Sequence, residues 1–267
     1  MRKLNQLMNL KKRVALITGG AGHLGFAIAE SLAEAGAKIV LLDVNEKACK
    51  QKARQIQRKY KVKTMALVMD LTDLKQLRAV PQQIRKQMGR LDILVNCAAL
   101  VGTSKLKGWA TSFEKQDIET WRLAMEVNLN MPFALIQACK SLLKKTRQAS
   151  IINISSIYGI VGPDMELYRG TGMGNPAAYS TSKGGLLQLT RWLATSLAPD
   201  IRVNAISIGG VFRNHKQPFL ARYKKKTPLK RMATEEDIKG AALYLASDLS
   251  SYVTGHNLVV DGGWTAW

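Results

Sequence analysis

Val14-Ala15-Leu16-Ile17-Thr18 runs directly into Gly19-Gly20-Ala21-Gly22-His23-Leu24-Gly25, and the fold follows from how these residues behave. A continuous apolar run of this kind predicts a strand buried on both faces. The spacing Gly20-x-Gly22-x-x-Gly25 then predicts a tight turn that opens a helix over residues 26–35, with small residues on its packing face. Glycines at these places let the backbone approach a pyrophosphate, and the helix N-terminus stabilises its charge. A second run, Lys38-Ile39-Val40-Leu41-Leu42, ends in Asp43. An acid at this distance from the turn accepts hydrogen bonds from an adenosine ribose. Strand, turn, helix, strand and terminal acid together predict a dinucleotide site.

Outward from this unit the alternation continues. Strands are predicted over residues 64–69, 91–96, 150–155, 201–208 and 257–260. Helical patterns lie between them, including a long amphipathic one over residues 121–143 and another over residues 179–197. Strands alternating with helices predict an α/β fold: one doubly wound parallel sheet of about seven strands, covered by helices on both faces. No break in composition divides the chain, so residues 1–267 read as one domain.

Composition narrows the function classes. A hydrophobic content of 46% is enough for a core. No run of ~18 apolar residues exists, and the first ten residues lack the apolar stretch of a secretory signal. A cytoplasmic protein with no membrane insertion is expected. Cys49, Cys97 and Cys139 form no Cys-x-x-Cys and have no histidine at zinc spacing, which predicts reduced, mostly buried thiols and no metal site. Forty Lys and Arg against 19 Asp and Glu leave a formal charge of +21 and raise the question of a nucleic-acid partner. The basic residues are instead spread over helical patterns, as in Lys47, Lys50, Arg54 and Arg58, with no zinc finger, RNA-binding signature or interleaved aromatics. A solvated basic surface is the expectation, and nucleic acid is not.

Tyr179 and Lys183 carry the chemistry. A helix places them one turn apart on one face. A lysine ammonium within a few ångströms favours the phenolate and makes the phenol a general acid/base near neutral pH. Alone, Tyr-x-x-x-Lys is a common chance pair on an exposed helix face. Its meaning comes from company.

The company is the Thr18 to Gly25 turn, Asp70 after the third strand, Asn96-Cys97-Ala98-Ala99, Asn128, Asn153-Ile154-Ser155-Ser156, and the ending Thr254-Gly255-His256-Asn257-Leu258-Val259-Val260-Asp261-Gly262-Gly263. In this order the motifs resemble the short-chain dehydrogenases/reductases over about residues 14–263. The resemblance implies a Rossmann-type fold and an enzyme that interconverts a secondary alcohol and a ketone by hydride transfer. It implies that Tyr179 exchanges the proton of the reacting oxygen, that Lys183 lowers the tyrosine pKa and holds the nicotinamide ribose, and that Ser156 hydrogen-bonds the reacting oxygen. Asn128 would support a water relay behind the lysine. The implied cofactor set is Gly19, Gly22, His23, Leu24, Gly25, Asp43, Asp70, Leu71, Asn96 and Ala98, with Tyr179 and Lys183 at the nicotinamide end. Asp43 favours NAD, because a carboxylate at the ribose repels the 2′-phosphate of NADP. The family also implies pairing into a homotetramer or homodimer.

The chain departs from the family pattern in places. His23 stands where the short branch has its middle glycine, so the turn reads Thr-Gly-x-x-Gly-x-x-Gly, a spacing similar to the extended branch. The usual Asn-Asn-Ala-Gly is Asn96-Cys97-Ala98-Ala99, and the usual Pro-Gly after the sixth strand is Gly209-Gly210. Between Ser156 and Tyr179 a long segment, about residues 157–178, must lie over the site, and a second substrate loop spans about residues 209–232. The first resembles that of oxidoreductases of bacterial sialic-acid-like sugar and surface-glycan modification. No Asp or Glu occurs over residues 201–234, while Arg202, Arg213, Lys216, Arg222, Lys224, Lys225, Lys226, Lys230 and Arg231 do. A lid of one sign predicts an anionic sugar or nucleotide-sugar substrate, with Tyr158, Arg169, Arg213 and His215 as candidate contacts. The rival readings are a 3-oxoacyl-carrier-protein reductase and a non-enzymatic cofactor-sensing or nucleic-acid-binding protein.

Overall fold

The computed structural model describes residues 1–102, 104–146 and 148–267. After a short helix α1 (Leu4–Leu7), the chain alternates β1 (Val14–Thr18), α2 (His23–Glu34), β2 (Lys38–Asp43), α3 (Glu46–Tyr60), β3 (Thr64–Val68), α4 (Leu74–Met88) and β4 (Ile93–Asn96). The second half follows as α5 (Ile118–Met125), α6 (Met131–Lys144), β5 (Ala149–Ser156), α7 (Ala177–Leu197), β6 (Ile201–Ile208), α8 (Phe219–Lys226), α9 (Glu236–Ala246) and β7 (Asn257–Val260). The strands form one seven-stranded sheet in the order β3-β2-β1-β4-β5-β6-β7, and every pairing is parallel. This is the Rossmann-type arrangement.

The pleat divides the apolar residues between two layers, because alternate side chains of a strand point to opposite faces. Val14 and Leu16 of β1 join α4, α6 and α7 through Leu77, Ile84, Leu135 and Leu193. Ala15 and Ile17 join α2, α3 and α9 through Ile28, Leu32, Ile56 and Leu245. Both layers are apolar, and each fully buried Leu or Ile side chain in them contributes about 1.5–3 kcal/mol. A side chain at the end of a helix sets where several helices begin: Asn45, Asp73 and Asp117 each accept from backbone N–H groups of the following turn.

Chain order reverses between β1 and β4, since β1 leads outward to β2 and β3 while β4 leads the other way. That reversal opens a crevice at the carboxyl ends of the two strands, where open α/β sheets bind ligands.

Several boundaries differ from the sequence-based ones. Gly22 is itself the residue before the first helical turn, so α2 begins at His23 and the glycine motif already belongs to the helix. β3 stops at Val68 and β4 starts at Ile93. The helix expected over residues 121–143 is present but divided: α5 passes through a π turn, Glu126–Asn130, into α6. Pro132 has no N–H to close the α-helical bond to the carbonyl of Asn128. A wider turn inserted there matches the frequent use of π-bulges at functional positions.

Candidate active site and dinucleotide cleft

The turn after β1 is packed so closely that only glycine fits. A Cβ on Gly25 would lie 2.2 Å from the Gly19 carbonyl oxygen, and one on Gly19, whose φ is +61°, would lie 2.9 Å from Cα of Ala98. The Gly22 amide is satisfied by the Gly19 carbonyl at 3.0 Å, and no side chain caps the helix. The amides of His23, Leu24 and Gly25 therefore begin α2 without an intrahelical partner. Aligned with the helix dipole, they make a cradle for an anion. Gly19, Gly22 and Gly25 shape it; the His23 ring is exposed and stands 3.6 Å from the Glu235 carboxylate.

Asp43 ends β2 beside that cradle. Its Oδ2 accepts from the Ala21 amide at 3.0 Å and its Oδ1 from the Asn45 amide at 3.0 Å. Thr18 Oγ1 accepts from the amides of Cys97 and Ala98 at 3.0 and 3.1 Å, so the end of β1 holds the chain leaving β4. Thr18, Leu71, Asn96 and Ala98 line one narrow crevice. Asn96 is buried and donates to Asn153 Oδ1 at 2.8 Å, and Asn153 donates to Thr190 at 2.9 Å. Asn96 is thus a brace across β4, β5 and α7. Asp70 is exposed and caps its own turn through Thr72 at 2.9 and 2.8 Å.

Tyr179 and Lys183 sit in the first turns of α7, with Lys183 only 4% exposed. The Lys183 ammonium donates to the Ile154 carbonyl at 2.7 Å and lies 5.9 Å from the centre of the Tyr179 ring. Burial lowers Lys183 to about 8. Burial also raises Tyr179, and the Ser156 hydroxyl works against that rise. Burial thus disfavours the charged form of both groups, and the ammonium is held by the Ile154 carbonyl.

Ser155 and Ser156 part company at the end of β5. Ser155 donates to the Lys183 carbonyl at 3.0 Å and ties the strand to α7. Ser156 accepts from the Tyr158 amide at 3.2 Å and lies on the Tyr179 side. Asn128, in the π turn, is fully engaged: it accepts from the Leu100 amide at 2.7 Å and donates to the Leu100 carbonyl at 3.0 Å and to Ser182 at 3.1 Å. Its side chain braces α7 against the chain after β4.

The two long loops are stitched together. The Tyr158 and Tyr168 hydroxyls are 2.8 Å apart. Arg222 of α8 donates to the carbonyls of Glu166, Leu167 and Arg169, and Lys226 pairs with Asp164. Ile157, Leu167, Phe219, Tyr223, Met232 and Trp264 form their shared core. The Arg169 side chain is not brought to the site; it is exposed and pairs with Glu166 at 2.5 Å. Arg213 pairs with Glu235 at 3.0 Å. His215 stacks on Phe219 at 5.1 Å, and burial, then the charge of Arg213, lowers its pKa.

The uniform positive lid is likewise reduced. Arg202 serves the carbonyls of Leu245, Ser247 and Val253, and Arg231 grips Asp237 through two bonds of 2.7 Å. Among the described residues Lys216, Lys224 and Lys225 keep no carboxylate partner. The braces Arg222, Glu235, Tyr168 and Thr190 had no local signal in the sequence. Only the proline four residues after Asn128 marked the π turn.

The three thiols are free, with Cys49 and Cys139 buried and Cys97 half-buried. Burial pushes Cys97 up to about 11. No group of His, Cys, Asp and Glu among the described residues is arranged to hold a metal ion.

Comparison with known proteins agrees with this geometry. The profile of a family described as enoyl-(acyl carrier protein) reductase matches residues 19–265. The post-translational flagellin modification protein A of Campylobacter coli is 30% identical over 260 residues, covering 96% of this chain and 99% of that one. The crystal structure of a gluconate 5-dehydrogenase from Burkholderia cenocepacia, in complex with NADP and tartrate, superposes with a TM-score of 0.88 at 29% identity, covering 99% and 100% of the two chains. A short-chain dehydrogenase from Leptospira borgpetersenii with bound NAD+ superposes with a TM-score of 0.84 at 33% identity, covering 99% and 96%.

Proposed function

This chain belongs to the short-chain dehydrogenase/reductase family and is an oxidoreductase, and on that premise we propose that it interconverts a secondary alcohol and a ketone on a sugar-type substrate, with NAD as cofactor. The observation that carries the reading is the half-buried Tyr179 with the buried Lys183 beside Ser156, at the end of β5 and next to the glycine cradle.

The residues present fit a dinucleotide. The open amides of α2 suit its pyrophosphate, Asp43 its adenosine ribose, and Lys183 its nicotinamide ribose. When bound, the nicotinamide supplies hydride to the carbonyl carbon or takes it from the carbinol. In reduction Tyr179 gives its phenolic proton to the carbonyl oxygen, so the C=O π bond is replaced by one C–H and one O–H bond while the cofactor is oxidised. In oxidation Tyr179 accepts the hydroxyl proton. Ser156 holds the same oxygen by a hydrogen bond, and the charge of Lys183 stabilises the phenolate that the transfer leaves. Burial, which raises the pKa of Tyr179, favours the protonated phenol that reduction needs.

NAD is preferred over NADP because the Asp43 carboxylate stands at the glycine turn with no arginine beside it between Gly19 and Gly25. The substrate assignment rests on the long insertion over the site and on the likeness to the flagellin modification protein. An anionic group on that sugar would be drawn by Lys216, Lys224 and Lys225. The protein works in the cytoplasm as one domain. It pairs with copies of itself through α5, α6 and α7, where Ile118, Leu123, Phe133 and Trp192 are exposed. No helix among the described residues is long and apolar enough to cross a membrane.

A 3-oxoacyl-carrier reductase is the second reading, favoured by the likeness to a 3-oxoacyl-[acyl-carrier-protein] reductase of Aquifex aeolicus, 32% identical over 261 residues. Initial rates with NADH and NADPH on keto-sugars, nucleotide-linked keto-sugars and acyl thioesters separate the two. Faster turnover of a 3-oxoacyl thioester than of any keto-sugar would overturn the sugar assignment.

A further inference from the structure

The insertion and the lid meet in a constellation that hydride and proton transfer alone do not require. Tyr158 follows Ser156 by two residues and donates its amide to that serine's hydroxyl at 3.2 Å, so its place is set relative to the reacting oxygen. Its phenol meets the Tyr168 phenol at 2.8 Å. Tyr179 lies near enough that its charge would disfavour that of Tyr158, and Tyr168 acts on Tyr179 in the same way. The two phenols of the insertion and the acid/base phenol are thus close enough for their charges to interact.

Their hydrogen bonding leaves one proton over. Asn175 is buried and accepts from Ser180 at 2.8 Å through its Oδ1. With Tyr158 as the donor to Tyr168, one arrangement results; the reverse exchanges the two roles and leaves the same free groups. A phenol has one donor and two acceptor sites. In the first arrangement Tyr168 keeps its own O–H, and Tyr158 keeps an acceptor lone pair. Burial raises both phenols, so the pair stays neutral through the physiological range. A neutral donor beside a neutral acceptor complements a hydroxyl group, which also gives and receives one bond each. It offers little to a methyl group, and no charge to a phosphate.

Tyr168 owes its place to α8. Its ring packs 5.6 Å from Phe219. Arg222 gathers the backbone around it, donating to the carbonyls of Glu166 at 3.0 Å, Leu167 at 3.5 Å and Arg169 at 2.6 Å, while Lys226 pairs with Asp164. Nη1 of one guanidinium thus holds the turn that carries the phenol.

We propose that the Tyr158–Tyr168 pair is the specificity element of this site, reading a hydroxyl on the carbon next to the reacting carbonyl, and that Arg222 is the positioning residue that keeps Tyr168 in the pair. The proposal rests on the alcohol–ketone reading above and narrows its substrate to α-hydroxyketones and the matching vicinal diols.

The test compares hydroxyacetone with 2-butanone, which differ by a hydroxyl in place of a methyl, as substrates for reduction by the full-length enzyme with NADH. The wild type favours hydroxyacetone in kcat/KM. Tyr158→Phe and Tyr168→Phe each lower that ratio by about tenfold, the scale of one hydrogen bond, and leave 2-butanone nearly unchanged. Arg222→Ala lowers it in the same way, and Arg222→Lys recovers part of it. A ratio that stays constant in both phenylalanine variants, or an equal loss on the two ketones, overturns the proposal. If neither ketone is reduced, the alcohol–ketone reading has failed separately. The pair is then judged by binding of the two probes to the NADH complex, followed by nucleotide fluorescence. Hydroxyacetone binding no tighter than 2-butanone, or equally tightly to wild type and Tyr168→Phe, overturns it there.

Discussion

The Asp43 carboxylate accepts a hydrogen bond from the Ala21 backbone N–H at 3.0 Å. The acid that closes β2 and the turn that opens α2 are therefore one unit. Asp43 does two things at once: it stands where a ribose would be read, and it holds the turn that would cradle the phosphates.

Replacing Asp43 by Ala should act on both. The preference for NAD over NADP narrows or reverses, because the repulsion of a 2′-phosphate is gone. Affinity for both cofactors also falls, by about tenfold, because the Ala21 amide loses its acceptor. Steady-state kinetics with the two reduced cofactors check this; an unchanged ratio would place the ribose contact elsewhere.

Lys183 is a buried charge that costs the fold stability. Its folded pKa is about 8 against an ordinary value of 10.5, so the unfolded chain binds its proton more tightly. The penalty is complete below pH 8 and fades as pH rises from 8 towards 10.5. Lys183→Met keeps the length of the side chain and removes the charge. At pH 7 the variant should be inactive yet more stable by about 1–3 kcal/mol, the buried-charge penalty less the bond to Ile154. Thermal unfolding followed by circular dichroism at pH 7 and pH 9.5 should show the difference shrinking at the higher pH. A variant less stable than the wild type at pH 7 would mean that the ammonium is better compensated than its single carbonyl partner suggests.

Part of this was legible in the sequence and part was not, for physical reasons. The β1 turn could be read because steric need is local: Gly19 and Gly25 are required by atoms only a few residues away or at one neighbouring strand. Tyr179 and Lys183 could be read because one helical turn fixes their separation. Arg169, Arg213 and Arg222 are alike in composition and differ only in what folds next to them. Arg169 reaches solvent, Arg213 finds Glu235, and Arg222 finds the carbonyls of the insertion. Those partners lie far along the chain or on an irregular loop, where no periodicity reports them.

The lid can be tested by its remaining free charges. Lys224 and Lys225 have no carboxylate partner among the described residues, whereas Lys226 holds Asp164. A Lys224→Ala/Lys225→Ala double variant should lose about two- to tenfold in kcat/KM for a nucleotide-linked keto-sugar at low salt. The gap should close as salt rises, as steering by exposed charges does. Equal salt dependence in variant and wild type would remove the anionic group from the substrate.

The central claim is that the Tyr179 oxygen moves the proton, and Tyr179→Phe tests it most directly, because the ring that packs among Trp109, Ala124 and Ala178 is kept and only the hydroxyl is lost. The measurement is turnover of the best keto-sugar alongside NADH affinity from a fluorescence titration. The account predicts a fall in kcat of about 10²–10⁴-fold, the usual contribution of a general acid/base group, with NADH affinity within about twofold of the wild type. Activity retained above about a tenth of the wild type, with NADH bound as before, would contradict it.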